Sequence, residues 1–208
     1  MNEDLDIVTK DRGLFSFLEP SSDALERLHR GLEVTAERAK LIDVAFTTLD
    51  SPVGTLLLAA TNDGLVRVAF EIEGFDQVLH TLSERISPRI LRAPTRLDAA
   101  ARELDEYFEG KRTSFDLKLD FLLSKGFRQN VQRFLPLISF GATMSYKEVA
   151  VIMGNPKAVR AVGTACATNP LPVVVPCHRV LRADGTLGGY VGGFAAKQTL
   201  LDLEAPIA

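Results

Sequence analysis

Cysteine is nearly absent: Cys166 and Cys177 are the only two in 208 residues. That is too few for a disulfide framework or a four-thiolate metal site. Histidine is scarce as well, and His29, His80 and His178 form no HExxH or CxxC grouping, so no dedicated metal site is expected. No apolar run approaches the roughly 18–20 residues of a membrane span. The opening Met1-Asn2-Glu3-Asp4-Leu5-Asp6 is acidic and lacks the basic and apolar regions of a signal peptide. These absences predict a cytosolic protein without membrane contact. Charged residues at 25% and hydrophobic residues at 46% are ordinary for a globular chain and exclude wholesale disorder. The length suits one large domain or two small ones.

What the chain does have is an uneven charge. Residues 1–124 hold 15 Lys and Arg against 23 Asp and Glu, a net of −8. Residues 125–182 hold eight basic side chains (Lys125, Arg128, Arg133, Lys147, Lys157, Arg160, Arg179 and Arg182) against Glu148 alone, a net of +7. A basic segment of this kind is the electrostatic footprint of a nucleic-acid binder, although charge alone favours a solvated surface patch.

Residues 1–40 read as a helical extension, with a helix over 22–40 capped by Ser21 or Ser22 and a partial stripe of Leu25, Leu28, Leu32 and Val34. Residues 41–122 read as an α/β domain. Strand-like runs around Ala45–Thr48, Thr55–Ala60 and Leu65–Phe70 are separated by turn signals at 50–54 and 61–64, which predicts an antiparallel meander. Helical periods follow near 74–86 and 95–109, and a last strand is expected over 114–119. No catalytic constellation is visible in this half, which reads as scaffold.

Residues 123–208 read as a mostly α domain. A helix is expected over 125–139, with Phe127, Val131, Phe134, Leu135 and Ile138 on one face. Ser145 and Glu148 form a capping box. The helix it opens stops at Gly154, and Asn155-Pro156 is expected to open another as N-cap and first helical residue. The pair forms a helix-turn-helix pattern. In its second helix Val159, Val162 and Cys166 share a face and should pack inward. Arg160 stands among Ala158, Ala161 and Thr164, a face small enough to approach a narrow groove but equally suited to a helix contact.

Val173-Val174-Val175 reads as a buried strand delivering Pro176-Cys177-His178-Arg179-Val180. A thiol beside an imidazole and a guanidinium suits a nucleophile, because nearby positive charge raises the thiolate fraction. A structural buried cysteine is the competing reading. The glycine-rich 188–193 is no phosphate loop and reads as a pocket wall.

The ordered series SYKEVA, GNPKAVRAVG, NP, PCHRV, GGYVGG and the terminal Lys197-x-x-Leu200-Leu201-x-x-Glu204 resembles the O6-alkylguanine-DNA alkyltransferase family. DSPVGTLLLAAT resembles that family's N-terminal domain, and residues 1–40 resemble nothing in it. The resemblance implies a ribonuclease H-like α/β domain, then a mostly α domain with a helix-turn-helix and an active-site loop. It further implies a suicide DNA repair protein that moves an alkyl group from O6-alkylguanine, and in some cases O4-alkylthymine, onto its own Cys177.

By the same resemblance, His178 takes the thiol proton through a water, Glu204 orients His178, and Tyr146 donates a proton to the departing guanine. Arg160 fills the space of a flipped-out nucleotide, on a helix in the minor groove whose contacts include Lys157, Ala158, Ala161 and Thr164. Asn169, Val180, Tyr190 and Val191 line the lesion pocket, with Asn169 as the hinge after the helix. Some members have serine where this chain has Val191. The implied partner is double-stranded DNA bound by a monomer, with no cofactor or metal. A non-catalytic lesion sensor and an unrelated cysteine hydrolase or redox enzyme are the alternatives.

Overall fold

The computed structural model describes residues 21–205. The chain forms two compact units, one up to Leu41 and one from Ile42 onward. The first contains helix α1 (Ser22–Arg38), whose N-cap Ser21 accepts a hydrogen bond from the Ala24 amide at 3.3 Å. Its Leu25, Leu28, Leu32 and Val34 are exposed.

The second unit begins with the meander. Strands β1 (Val44–Leu49), β2 (Leu56–Thr61) and β3 (Gly64–Phe70) pair antiparallel in sequence order. Gly64, at φ 140°, makes the second turn and lies so close to the Lys118 carbonyl that no side chain would fit. Helix α2 (Phe75–Arg85) buries Val78 and Leu82 against Val44, Leu57, Ala59, Val66 and Ala69 of the sheet. The sheet has a fourth strand that the sequence reading lacks: β4 (Ile90–Arg92) runs parallel to β1 and makes the order β3-β2-β1-β4. Three residues are too few to show a period. The strand expected over 114–119 does not form; one bridge, Leu119 to Leu65, is all that pairs there.

Helix α3 (Asp98–Phe108) buries Ala100, Glu103, Leu104 and Tyr107 on one side. The helix expected over 125–139 is shorter. It runs as α4 (Gly126–Phe134), and Leu135–Leu137 continues it as a single 3₁₀ turn at Pro136.

The capping box forms as expected. Ser145 Oγ accepts from the Glu148 amide at 3.1 Å, and Glu148 returns to the Ser145 amide at 2.6 Å, opening α5 (Tyr146–Ile152). Gly154, at φ 73°, closes that helix, with the Asn155 amide on the Ala150 carbonyl in a Schellman arrangement. Asn155-Pro156 then does not start the next helix. It forms a turn, with the Ala158 amide on the Asn155 carbonyl, and α6 (Val159–Ala167) begins three residues later with no side-chain cap. The connection between the two helices is therefore longer than the pattern suggests.

Along α6, Val162, Ala165 and Cys166 are buried, whereas Val159, expected inward, is 36% exposed. Buried Gln132 of α4 donates to the Ala165 and Thr168 carbonyls, which ties the end of α6 to the interior. The last helix, α7 (Gly193–Glu204), buries Ala196, Lys197, Leu200 and Glu204 and leaves Phe194 60% exposed. Among the described residues no helix is long and apolar enough to cross a membrane.

Candidate active site

The apolar run before the cysteine is not a strand. Val173, at φ 72°, sits in the left-handed region that a β-branched residue seldom adopts, and 172–174 form a turn packed entirely inside the protein. Flanking Pro170, Pro172 and Pro176 remove amide donors that a sheet would need. Continuous hydrophobicity signals burial, and here the burial is of a turn. Cys177–Arg179 then form a 3₁₀ turn. The next residues form strand β6 (Val180–Leu181), which pairs parallel with β5 (Met144–Ser145). That small bridge sets Tyr146, the first residue of α5, beside the cysteine turn.

Cys177 is 1% exposed. Asn169 Nδ2 donates to its sulfur at 3.2 Å and to the Val175 carbonyl at 2.8 Å, while Asn169 Oδ1 accepts from the Leu171 amide at 3.0 Å. Asn169 is thus a clamp on the thiol as well as the residue following α6. Burial pushes the Cys177 thiol up to about 11, against smaller downward pulls from Asn169 and Lys197. The expected activation by Arg179 is not what the structure provides. Arg179 turns away and is buried, with Nε and Nη2 on Glu204 at 2.7 and 2.8 Å and Nη1 on the Ile138 carbonyl at 2.5 Å. It therefore leaves the basic surface counted from sequence. The cation that acts on the thiol is Lys197, wholly buried, with Nζ donating to the Val180 carbonyl at 2.7 Å.

His178 is fully buried, and its Nε2 meets Glu204 Oε1 at 2.9 Å. Burial lowers its pKa more than Glu204 raises it, so the ring is neutral near pH 7. Glu204 accepts at Nε2, which puts the single ring proton there and leaves Nδ1 as the basic nitrogen; Nδ1 has no partner among the described residues. Glu204 lies at the very end of α7. It is 3% exposed and takes donors from His178, twice from Arg179, from the Tyr107 hydroxyl at 2.7 Å and from the Gly141 amide at 3.3 Å. Burial alone would raise its pKa, but the hydrogen bonds from His178, Arg179 and Tyr107 overcome that and hold it at about 2.

That depression has a sign. A carboxyl held lower in the folded than in the unfolded chain stabilises the fold above the unfolded value, and the stability is lost as pH falls toward the folded value. Stability against denaturant should therefore fall from about pH 4.5 to about 2, by on the order of 3 kcal/mol from Glu204. Chemical denaturation at stepped pH, in wild type and Glu204→Gln, measures it: the variant should lack this component of the acid loss.

Tyr146 is half-buried, and burial, then the two cysteines, push its phenol up to about 12, so it remains a proton donor. A Cβ at Gly188 would strike its hydroxyl. Tyr190 packs edge-on against Phe70 at 5.6 Å and His178 at 6.4 Å, with its hydroxyl buried. Val191 and Asn169 share a cleft of about 280 Å³ with Arg67, Thr168 and Pro170. Val180 is buried, its carbonyl taken by Lys197. Arg160 and Thr164 on α6 and Lys157 in the turn before it are exposed, with the N-cap Ala158 and Ala161 half-buried.

Of the residues expected from sequence, the fold brings His178 and Glu204 into contact across 26 residues, directly after Cys177. Sequence reasoning misses Tyr107, Gly141 and the task of Lys197. Tyr107 left a signal: it ends the buried register 100, 103, 104, 107 of α3, and a core tyrosine hydroxyl needs a partner. No group of three or more His, Cys, Asp or Glu among the described residues could hold a metal.

Residues 44–121 match the 6-O-methylguanine DNA methyltransferase ribonuclease-like domain, and residues 126–206 match the DNA binding domain of the same family. The methylated-DNA–protein-cysteine methyltransferase of Mycolicibacterium paratuberculosis is 40% identical over 161 residues, covering 77% of this chain and 92% of the relative. That of Methanosarcina barkeri is 39% identical, covering 76% and 96%. Among solved structures, Mycobacterium tuberculosis O6-methylguanine methyltransferase superposes with a TM-score of 0.69 at 36% identity, covering 79% of this chain and 96% of that one. A crystal structure of Mycobacterium tuberculosis OGT in complex with DNA gives 0.66 at 38% identity, covering 78% and 95%.

Proposed function

The chain belongs to the 6-O-methylguanine DNA methyltransferase family, and we propose that it repairs O6-alkylguanine in duplex DNA by accepting the alkyl group, once and irreversibly, on Cys177. One observation carries the assignment of residues. A buried thiol held by Asn169 is followed by a neutral imidazole whose other nitrogen is committed to Glu204.

A thiol pushed up to about 11 is not a thiolate at rest, so the reaction needs a base. His178 Nδ1 is that base. Adjacent residues seldom face one another, and a bridging water carries the proton from Sγ to Nδ1. The developing imidazolium is stabilised by Glu204, and Lys197 stabilises the negative sulfur. Sulfur then attacks the alkyl carbon in line: an S–C bond forms, the C–O6 bond breaks, and guanine leaves as an anion that Tyr146 protonates. The thioether does not hydrolyse readily, so each molecule acts once.

Because Cys177 is 1% exposed, the lesion must come to the thiol, which requires flipping the nucleotide out of the stack. Arg160, exposed on α6, fills the space left behind. The small residues Ala158 and Ala161, with Lys157 and Thr164 beside them, let the helix lie in the minor groove. The protein is proposed to act as a monomer, and a working thiol supports a reducing, cytosolic setting.

Arg160→Ala tests the flipping role. It should slow transfer from a duplex about tenfold or more, a part of the few kcal/mol that flipping costs. Reaction with free O6-benzylguanine should change less than about twofold, since no flipping is involved. Equal slowing of both substrates would remove Arg160 from that role.

A further inference from the structure

We infer that Tyr107 is a positioning residue of the alkyl-transfer site: its hydroxyl, delivered by α3 from the sheet-bearing half, shares Glu204 Oε1 with His178 and sets how that carboxylate faces the imidazole. The inference rests on the reading of Cys177, His178 and Glu204 given above. It makes the N-terminal half, which reads from sequence as scaffold, a contributor to the chemistry.

Tyr107 is wholly buried and donates to Oε1 at 2.7 Å. The same oxygen receives His178 Nε2 at 2.9 Å and Arg179 Nη2 at 2.8 Å. Three donors converge on an oxygen with about two lone-pair sites, so each competes with the others. The hydroxyl cannot swing aside, because the ring is held by Phe108 and Phe115, both at 5.3 Å, and by Phe140 at 6.1 Å. Phe140 also lies beneath the Arg179 guanidinium and precedes Gly141, whose amide donates to Oε2. The carboxylate is therefore gripped from α3, from the 140–141 loop and from the cysteine turn at once.

A donor to a carboxylate stabilises its charge and lowers its basicity. Removing the Tyr107 hydroxyl leaves Oε1 a stronger acceptor for the His178 Nε2–H, which favours the imidazolium over the neutral ring. His178 is then protonated at higher pH and ceases to act as a base sooner as pH falls. The charged and titratable groups facing this pair are Arg179 and Cys177 from the turn, Lys197 from α7, Tyr190 from the glycine-rich loop and Tyr107 from α3. Tyr107→Phe changes one of them and keeps the ring.

The test uses the full chain. Single-turnover transfer from an O6-methylguanine duplex is followed from pH 5 to 9, alongside the NMR titration of the His178 ring. In Tyr107→Phe, the acid limb and the His178 titration should both move up, by about half a pH unit or more, so that transfer falls further near pH 6 than above pH 8. A site-specific ring-fluorinated tyrosine at 107, a stronger donor that retains the hydroxyl, should move both the other way and covers the case in which phenylalanine compromises folding. Unmoved titrations, or a uniform loss of rate at every pH with His178 unchanged, would reduce Tyr107 to packing. If the wild-type chain transfers no methyl group, the proposed function fails, while the His178 titration still decides the part played by Tyr107.

Discussion

Cys177→Ala should fold, bind duplex DNA within a few-fold of wild type, and transfer no alkyl group at any concentration. The expectation follows from how little the sulfur does for the fold. It is buried, yet its hydrogen bond comes from Asn169, whose Nδ2 keeps the Val175 carbonyl when the sulfur is gone. Replacing the thiol by a hydrogen removes a small apolar group and leaves no charged partner stranded, a cost of about 1 kcal/mol. The exposed side chains proposed to face DNA, Lys157 in the turn before α6 and Arg160 and Thr164 on the helix, are untouched. The chain has one other thiol, Cys166, which burial pushes well above the normal range and which lies in the inward face of α6, so it cannot substitute. Single-turnover assays with labelled duplex, together with a thermal melt, measure both halves of the expectation. Loss of the folding transition, or transfer retained on another residue, would recast Cys177 as structural.

Glu204→Gln should be the most damaging change outside the nucleophile. Five donor contacts converge on the two carboxylate oxygens. An amide turns one oxygen into a donor, which must face His178, Arg179 or Tyr107, and removes the charge that balances the buried guanidinium. Breaking one side of a buried ion pair costs about 3–5 kcal/mol, because the other charge is left without compensation. For a chain of this size that lowers the melting temperature on the order of 10 °C. Transfer should fall about a hundredfold or more, since the imidazolium loses its counter-charge and its fixed tautomer. Destabilisation with transfer rates at wild-type level, measured below the melting transition, would make Glu204 an anchor for Arg179 and nothing more.

Local chemistry made much of the fold legible. Turn residues at 50–54 and 61–64 announced the meander, and Ser145 with Glu148 announced α5. The failures have physical causes. Three consecutive valines signal burial, but only pairing makes a strand, and the prolines around 173–175 deny it. Asn155-Pro156 carries a helix-start signature, yet the Schellman closure of α5 uses the Asn155 amide and its carbonyl holds Ala158, so the helix waits until Val159. The site was legible where its members are neighbours or carry a recognisable motif. Arg179 was misplaced because sequence adjacency says nothing about direction, and its guanidinium faces away from the thiol. Tyr107 reaches Glu204 across 97 residues, a separation that no local pattern reports.

The most direct test is the intact mass of the protein after incubation with a duplex carrying one O6-methylguanine. The account predicts a single addition of about 14 Da, a methyl replacing the thiol hydrogen. The addition should map to the peptide containing Cys177 and stop at one equivalent. Lesion binding with no change in mass, or methylation of any residue other than Cys177, would contradict it.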